Sequence, residues 1–239
     1  SAQVNNLSIE GFKGINLSIG YMQDTVFNSL TLLDGANGAH QPMLEFYNVS
    51  NFLYFNNPHI EESGYMIRVR DNTIPPWEIQ FNGAHFEVGN YHNGSVATAP
   101  DPQSEYRYAS PPIFCKETMR QWSFNNCFFG PCGVVALNIA NGGSGLDAQP
   151  YFIQFNDAGG VEFNNCKVQA PTSAVDFIIL TSSDASSIYG KNSINGLEFV
   201  KANPTRPAIV TNRTDITNVR YTLESGLSTN RLYGIKSDN

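Results

Sequence analysis

A six-residue pattern that returns along almost the whole chain constrains the fold more than any other feature of the sequence. Its positions are an apolar residue, any residue, Asn or Gly, an apolar residue, any residue and a third apolar residue. The two clearest copies lie in WSFNNCFFG (122–130) and VEFNNCKVQ (161–169). Seven copies can be placed, and they begin at Val4, Val49, Phe81, Phe124, Phe163, Ile194 and Ile216.

The two halves of this pattern predict a turn that leads into a strand. Asn and Gly favour the left-handed or tightly bent backbone of a turn, whereas apolar residues two apart have the period of a strand with one buried face. Repetition of such a unit is typical of a solenoid in which each coil bonds to its neighbours. Because the copies begin 22 to 45 residues apart, we predict an all-β parallel β-helix of about seven coils with long corner loops.

Length and composition agree with one domain over residues 1–239. Of the 239 residues 41% are hydrophobic and 15% are charged, which is enough to bury one core. The net charge of −7 argues against a groove that follows nucleic-acid phosphates, so no nucleic-acid partner is expected. No apolar stretch approaches the ~20 residues of a membrane-spanning helix, so no membrane insertion is expected. Since residue 1 is Ser, we expect a piece of a longer chain.

The cysteines and histidines predict neither a disulfide framework nor a metal site. Cys127 and Cys166 occupy the same position in successive copies, so we expect them to stack in the core as small hydrophobic residues. The four histidines fall on different segments, at His40, His59, His85 and His92. No metal and no cofactor are therefore expected.

Residues 89–121 interrupt the pattern. They contain four prolines, no sustained apolar period and the three tyrosines Tyr91, Tyr106 and Tyr108. A loop of this length inside a compact fold is commonly functional. A corner insertion that packs on the next coil or on a neighbouring subunit explains the sequence equally well, so both interpretations stay open.

Runs such as EFNNCKV and SFNNCFF, with Asn at the corner and apolar residues facing inward, resemble coils of right-handed parallel β-helices of the pectin-lyase-like type. Uneven coil lengths, low charge, many Asn and Ser residues and the aromatic-rich 89–121 segment are similar to those of bacteriophage tailspike proteins. The resemblance covers residues 4 to about 225. It implies a homotrimer in the virion tail that binds, and typically cuts, a bacterial surface polysaccharide. The alternative is a protein that a bacterium secretes.

No catalytic motif of that family can be carried over, so candidate catalytic residues are chosen by position. Hydrolysis of a glycosidic bond needs two carboxyl groups about 5–9.5 Å apart, and neighbouring strands of a sheet lie ~4.8 Å apart. Carboxylates on adjacent coils or corners can therefore pair. The central candidates are Glu87, Asp157, Glu162 and Asp176, although a solvated surface carboxylate is the simpler interpretation of each.

Aromatic and polar side chains of the middle coils are the candidates for holding a sugar: Trp77, His85, Tyr91, Tyr106, Tyr108 and Trp122. Sugar rings stack on aromatic side chains in polysaccharide-cleaving enzymes and in non-catalytic binding segments alike, so these residues do not separate the two functions. Within the enzymes a glycoside hydrolase is favoured over a lyase. Calcium-assisted lyases of this fold are rich in acidic clusters, whereas Glu61 and Glu62 are the one adjacent acidic pair in this sequence. The alternative is a non-catalytic glycan-binding or structural segment of a tail fibre or adhesin.

Five apolar residues are expected on the outside of the solenoid. Leu53 and Phe128 fall on an outward position of the pattern, and Tyr47, Phe55 and Trp122 flank copies of it. Three solenoids packed side by side would bury such a surface. The sequence therefore predicts a homotrimer, with coverage by the chain's own loops as the alternative.

Overall fold

The structure, a computed structural model of the chain, describes residues 1–11, 15–33, 42–48, 50–61, 66–69, 76–87, 113–130, 151–169, 176–180, 191–202, 209–211, 214–223 and 235–237. Within these ranges the chain forms 24 β-strands. Neighbouring strands pair in parallel throughout these ranges, which confirms the all-β class and the parallel β-helix. The described residues include no helix that is long and apolar enough to span a membrane.

Successive strands lie on three faces of the solenoid, and one strand from each face makes a coil. Face 1 contains β1 (Ala2–Asn5), β4 (Gln23–Asn28), β7 (Asn51–Asn56), β10 (Trp77–Asn82), β13 (Ser123–Asn125), β16 (Glu162–Asn164), β19 (Asn192–Asn195) and β22 (Thr214–Thr217). Face 2 contains β2 (Ser8–Glu10), β5 (Thr31–Leu33), β8 (His59–Glu61), β11 (His85–Glu87), β14 (Phe128–Gly130), β17 (Lys167–Gln169), β20 (Glu198–Ala202) and β23 (Arg220–Leu223). Face 3 contains β3 (Leu17–Gly20), β6 (Leu44–Tyr47), β9 (Ile67–Val69), β12 (Ile113–Arg120), β15 (Tyr151–Gly159), β18 (Asp176–Leu180), β21 (Ile209–Thr211) and β24 (Ile235–Ser237).

The coils are numbered in chain order, so that coil 1 is β1–β3, coil 4 is β10–β12 and coil 8 is β22–β24. The described residues thus contain eight coils, against the seven or so that the sequence predicts. Each coil turns from face 1 to face 2 at the third position of the six-residue pattern, where the backbone is left-handed with φ between 50 and 78°. This is the conformation that Gly adopts freely and Asn tolerates.

The predicted copies differ from the structure in coils 2 and 3, and the copy missed in coil 2 accounts for the extra coil. A copy that begins at Phe27 was missed, because Ser29 occupies its turn position, with φ 56°. The copy assigned to Val49 is wrong: the true copy begins at Phe55, which pairs with Phe27 on one side and with Phe81 on the other. Its fourth position is Pro58, and neither Ser nor Pro satisfies the pattern as it was defined.

The core is built from the apolar positions of the pattern stacked coil upon coil. Phe27, Phe55, Phe81, Phe124 and Phe163 form one column, with neighbouring ring centroids 4.7, 4.9, 5.4 and 4.8 Å apart. The side chains in this column are buried. Burial of each phenylalanine stabilises the fold by roughly 1.5–3 kcal/mol, which makes the column a principal source of the register between coils.

Cys127 and Cys166 lie in the core, as predicted, on adjacent coils. Their thiols donate to the carbonyl oxygens of Phe81 (3.3 Å) and Phe124 (3.2 Å). Burial raises the pKa of the Cys127 thiol, because the charged thiolate is poorly solvated in an apolar interior. These cysteines therefore serve as small packing residues.

An asparagine ladder follows the outer edge of face 1. Its members occupy the second position of the pattern, for which the pattern specifies no residue type. Each Nδ2 donates to the Oδ1 of the asparagine on the preceding coil at 2.8–3.0 Å. The members joined in this way are Asn5, Asn28, Asn56, Asn82, Asn125 and Asn164. Each hydrogen bond contributes about 0.5–1.5 kcal/mol, so the ladder reinforces the same register as the phenylalanine column.

The prediction of an apolar outer surface is wrong for three of its five residues. Leu53, Phe55 and Trp122 are fully buried inside the solenoid. Leu53 was assigned outward because the pattern of coil 3 was misplaced, and it in fact faces inward opposite Thr25 and Ile79. Phe128 and Tyr47 do face outward, and both are half-buried.

The predicted insertion at 89–121 extends too far. Residues 113–120 form β12, whose pairing with β15 shifts register between Cys115 and Thr118. Such an irregularity interrupts the alternation by which a strand is recognised. Residues 88–112, which connect face 2 to face 3 in coil 4, lie outside the described residues, and Tyr91, Tyr106 and Tyr108 with them.

Candidate functional site

The four predicted catalytic carboxylates are distributed over three faces. Glu87 ends β11 on face 2, and Glu162 begins β16 on face 1. Asp157 and Asp176 are both on face 3, in the paired strands β15 and β18, but Asp176 pairs with Tyr151. Because a strand rises about 3.3 Å per residue, Asp157 lies roughly 20 Å further along. The structure does not bring these four residues together.

Glu162 has no carboxylate opposite it on the neighbouring coils. Its register partners are Ser123 and Ser193, and its own exposed side chain accepts a hydrogen bond from Asn164 at 3.4 Å. This arrangement is that of an ordinary solvated surface residue.

Glu87 lies in a cluster that arises from a repeated tripeptide. The sequence His-apolar-Glu occurs at 59–61 in β8 and at 85–87 in β11, and the two strands pair in register, His59 with His85 and Glu61 with Glu87. The central residue of each tripeptide is fully buried, so alternation along the strand directs the histidine and the glutamate outward. We call His59, Glu61, His85 and Glu87 the His–Glu cluster.

The four side chains of the His–Glu cluster contact one another. The two imidazole rings are stacked, with centroids 5.6 Å apart and planes inclined by 14°. His59 Nδ1 donates to Glu61 Oε1 at 3.0 Å, and His85 Nε2 donates to Glu87 Oε2 at 3.1 Å. His85 Nε2 also lies 3.8 Å from Glu61 Oε1. Glu61 is the least exposed member at 23%, and His59 is the most exposed at 51%.

An aromatic ring flanks the cluster on coil 5. The centroid of Phe128 lies 4.8 Å from that of His85. The ring has room because Gly130 follows it on the same outer side: a Cβ there would lie 3.1 Å from Phe128 Cζ and 2.6 Å from Gln169 Cβ. The cluster thus has an apolar wall toward coil 5 and stays accessible from solvent.

The sequence identified half of this cluster. His85 and Glu87 were candidates, whereas His59 and Glu61 were missed because the pattern of coil 3 was misplaced by six residues. The available signal was the repeated His-apolar-Glu after the turn. His59 and His85 do fall on different segments, but these are adjacent paired strands. One ligand atom each from His59, Glu61 and His85 lie within 4.8 Å of one another. The cluster can therefore hold a metal ion.

Of the other predicted sugar-binding residues, Trp77 is accessible and Trp122 is not. Trp77 is 37% exposed at the start of β10, and its ring centroid is 6.2 Å from that of Phe52. Trp122 is fully buried, packs edge-on against Phe46 and donates from Nε1 to the carbonyl oxygen of Pro76 at 3.2 Å. Because no sugar can reach that ring, the assignment of Trp122 is wrong.

Coil 4 presents Trp77, Gln80, Asn82, His85 and Glu87 on its outer side, in this order from face 1 to face 2. Coils 3 and 5 add part-exposed aromatic rings beside them, among them Tyr54 and Phe128. The outward side chains of coils 3 to 5 on faces 1 and 2 are called the middle-coil surface. It combines aromatic rings, amides and the His–Glu cluster on rigid strands.

A second surface feature lies on coils 6 to 8, where a depression of about 390 Å³ is open to solvent. Its lining includes Lys167, Glu198 and Arg220 from successive strands of face 2. Lys167 Nζ lies 3.6 Å from Glu198 Oε2. The charges alternate along the stack, so they offset one another.

No protein-family model matches the sequence, and no curated protein is significantly similar to it. Among solved structures the chain is similar to the tailspike protein of Acinetobacter baumannii phage AM24, with 10% sequence identity and a TM-score of 0.38. The similarity covers 92% of this chain and 40% of the tailspike chain, so this chain spans less than half of that protein's length. The strand register, rather than this similarity, establishes that the chain is a parallel β-helix.

Proposed function

We propose that this protein binds a bacterial surface polysaccharide, a capsule or an O-antigen, on the middle-coil surface. The observation that carries the proposal is Trp77, which is 37% exposed beside Phe52 on a rigid strand that also presents the amides of Gln80 and Asn82. A sugar ring has an apolar face that stacks on an aromatic ring and hydroxyl groups that bond to amides. The middle-coil surface supplies both.

Rigidity supports the same proposal. Trp77 pairs in register with Asn51 of coil 3 and Arg120 at the end of coil 4, so its backbone is held on two sides. A surface that is ordered before binding loses little conformational entropy when the ligand arrives. In this proposal the protein is a tailspike-like component of a phage virion tail, with a secreted bacterial protein as the alternative.

Cleavage of the bound glycan stays a prediction. Glu87 has a carboxylate neighbour, Glu61, on the adjacent coil, and strands ~4.8 Å apart suit the spacing of about 5–5.5 Å in retaining glycoside hydrolases. Both carboxylates already accept hydrogen bonds from histidines. Binding is therefore the function that the geometry supports better.

The homotrimer is proposed on the resemblance to tailspikes, since three of the five residues that suggested it are buried within the chain. Light scattering at micromolar concentration measures it directly. We expect three times the monomer mass of 26.3 kDa. A mass equal to the monomer's contradicts the proposal for this chain.

Glycan binding is tested by isothermal titration with a panel of purified capsular polysaccharides and O-antigens. We expect one of them to bind and Trp77→Ala to weaken that binding at least about tenfold, since a central aromatic hot-spot side chain contributes about 2 kcal/mol or more to recognition. Tyr21→Ala is the matched control: Tyr21 is 75% exposed but lies in the connection between coils 1 and 2, away from the middle-coil surface. Equal affinity of Trp77→Ala and wild type, or no binding to any glycan of the panel, contradicts the proposal. Sizing the bound glycan after incubation tests cleavage separately.

A further inference from the structure

We propose that the His–Glu cluster binds one divalent transition-metal ion, with zinc as the best fit, between coils 3 and 4. Its potential ligands are two imidazoles and two carboxylates, all on the outer side of face 2. Zinc takes imidazole nitrogen and carboxylate oxygen in tetrahedral sites. Calcium and magnesium prefer sites made of oxygen alone, so the two histidines select against them.

The distances fit such an ion. Ligand atoms about 2.0–2.2 Å from zinc at tetrahedral angles lie about 3.3–3.6 Å from one another. In the cluster Glu61 Oε1 lies 3.0 Å from His59 Nδ1 and 3.8 Å from His85 Nε2. The group whose ligand atoms all lie within 4.8 Å of one another is His59, Glu61 and His85. Glu87 Oε2 lies beside that group, 3.1 Å from His85 Nε2. In the zinc-bound state the ion would replace the proton on each of these nitrogens. The two rings would turn out of their near-parallel arrangement so that both in-plane lone pairs point at the ion.

The backbone already holds the ligands in position. Ile60 and Phe86, between the histidine and the glutamate of each tripeptide, are fully buried and pair with each other. The two histidines and the two glutamates therefore start from adjacent strands of one face. Because the backbone is held in this way, binding costs only the ordering of the side chains.

Charge gives an independent reason. Glu61 and Glu87 are directly opposite each other on adjacent strands, an arrangement in which like charges destabilise a sheet. A divalent cation between them neutralises both carboxylates and turns the repulsion into attraction. The repeated tripeptide thus places two like charges where a cation offsets them.

This inference does not depend on glycan binding. It does compete with hydrolysis at the same residues, because a carboxylate that coordinates zinc is not free to act as a nucleophile or acid. The two ideas therefore give opposite results when the metal is removed.

The experiment is isothermal titration of the chelator-treated full chain with zinc chloride, and with calcium chloride in parallel. We expect one zinc ion per chain at micromolar or lower Kd, and at least tenfold weaker binding of calcium. Glu61→Gln and His85→Gln should each weaken zinc binding at least tenfold. Glu10→Gln is the matched control, because Glu10 ends β2 on face 2 as Glu61 ends β8, on coil 1 without a histidine tripeptide.

Cobalt provides a second readout that a merely structural effect would not reproduce. Cobalt(II) in place of zinc should give the intense visible absorption of a tetrahedral site in wild type and Glu10→Gln, and lose it in His85→Gln while circular dichroism stays strand-like. Zinc binding that is equal in wild type and both cluster variants overturns the proposal. So does calcium binding as tight as zinc binding, or glycan cleavage that requires Glu61 and persists in chelator.

Discussion

On the outer side of face 2, the charged side chains of coils 3 and 4 are arranged differently from those of coils 6 to 8. In coils 3 and 4 identical residues stack, with Glu61 opposite Glu87. In coils 6 to 8 the charges alternate, and Lys167 lies 3.6 Å from Glu198. Alternating charges satisfy one another within the protein, whereas stacked like charges destabilise the sheet unless something external offsets them. In a solenoid of repeated units, stacked like charges therefore mark a place for a ligand.

The largest effect on stability is expected from a substitution in the buried core, which fixes the register of both regions. Cys127→Asp places a carboxylate among fully buried residues, and an uncompensated buried charge destabilises by about 3–5 kcal/mol. Thermal melting followed by circular dichroism measures this. Cys127→Ala is the control, since it removes the thiol without adding charge. A melting temperature of Cys127→Asp equal to that of Cys127→Ala would show that the core position is wrongly assigned.

Zinc should stabilise variants of the two regions to different extents, and this difference should be smaller than the effect of the core substitution. At a free concentration 100 times its Kd, an ion that binds only the folded chain stabilises it by about 2.7 kcal/mol. We expect wild type and Glu198→Gln to gain this stability and Glu61→Gln to gain much less. Denaturant titration with and without zinc measures the difference. Equal gains in all three proteins contradict the assignment of the site to coils 3 and 4.

The smallest expected effect is measured without metal. Replacing one glutamate by glutamine should raise the free energy of unfolding in one region and lower it in the other. Glu61→Gln removes one of two opposed carboxylates and should raise the free energy of unfolding by about 0.2–1 kcal/mol. Glu198→Gln removes an exposed partner of Lys167 and should lower it by at most about 1 kcal/mol. Both measurements are made in chelator, so that no metal ion offsets the two carboxylates. If both changes shift stability in the same direction, the contrast between the two regions fails.

The candidate site shows where sequence reasoning reached its limit. His85 and Glu87 were placed on the outer side of a middle coil, because their copy of the pattern at Phe81 is regular. Their partners His59 and Glu61 were missed, because Pro58 occupies an apolar position of the preceding copy. A pattern defined by allowed residue types fails at any coil that places another residue type at one of its positions.

The assignment of Trp122 to sugar binding is wrong for a different reason. It stands two residues before Phe124, so the period of two places it on the buried side with Phe124, and its choice as an outward residue ignored this alternation. In the structure this position follows Gln121, whose φ is 53°, and the left-handed residue turns the chain from face 3 to face 1 with Trp122 inward. Tryptophan there fills the corner against Phe46. The packing of the three faces decides only which residues Trp122 contacts.

The sequence by itself determined the parallel β-helix, the stacking of Cys127 on Cys166 and the outward direction of His85 and Glu87. These follow from a local pattern, a turn residue and a period of two, that each coil carries within itself. The tertiary structure decided which coils are neighbours and in what register, and hence that Glu61 lies opposite Glu87 and that Asp157, Glu162 and Asp176 lie apart. The physical reason is that parallel pairing joins residues one whole coil apart, and the uneven corner segments between them leave no periodic trace of that distance in the sequence.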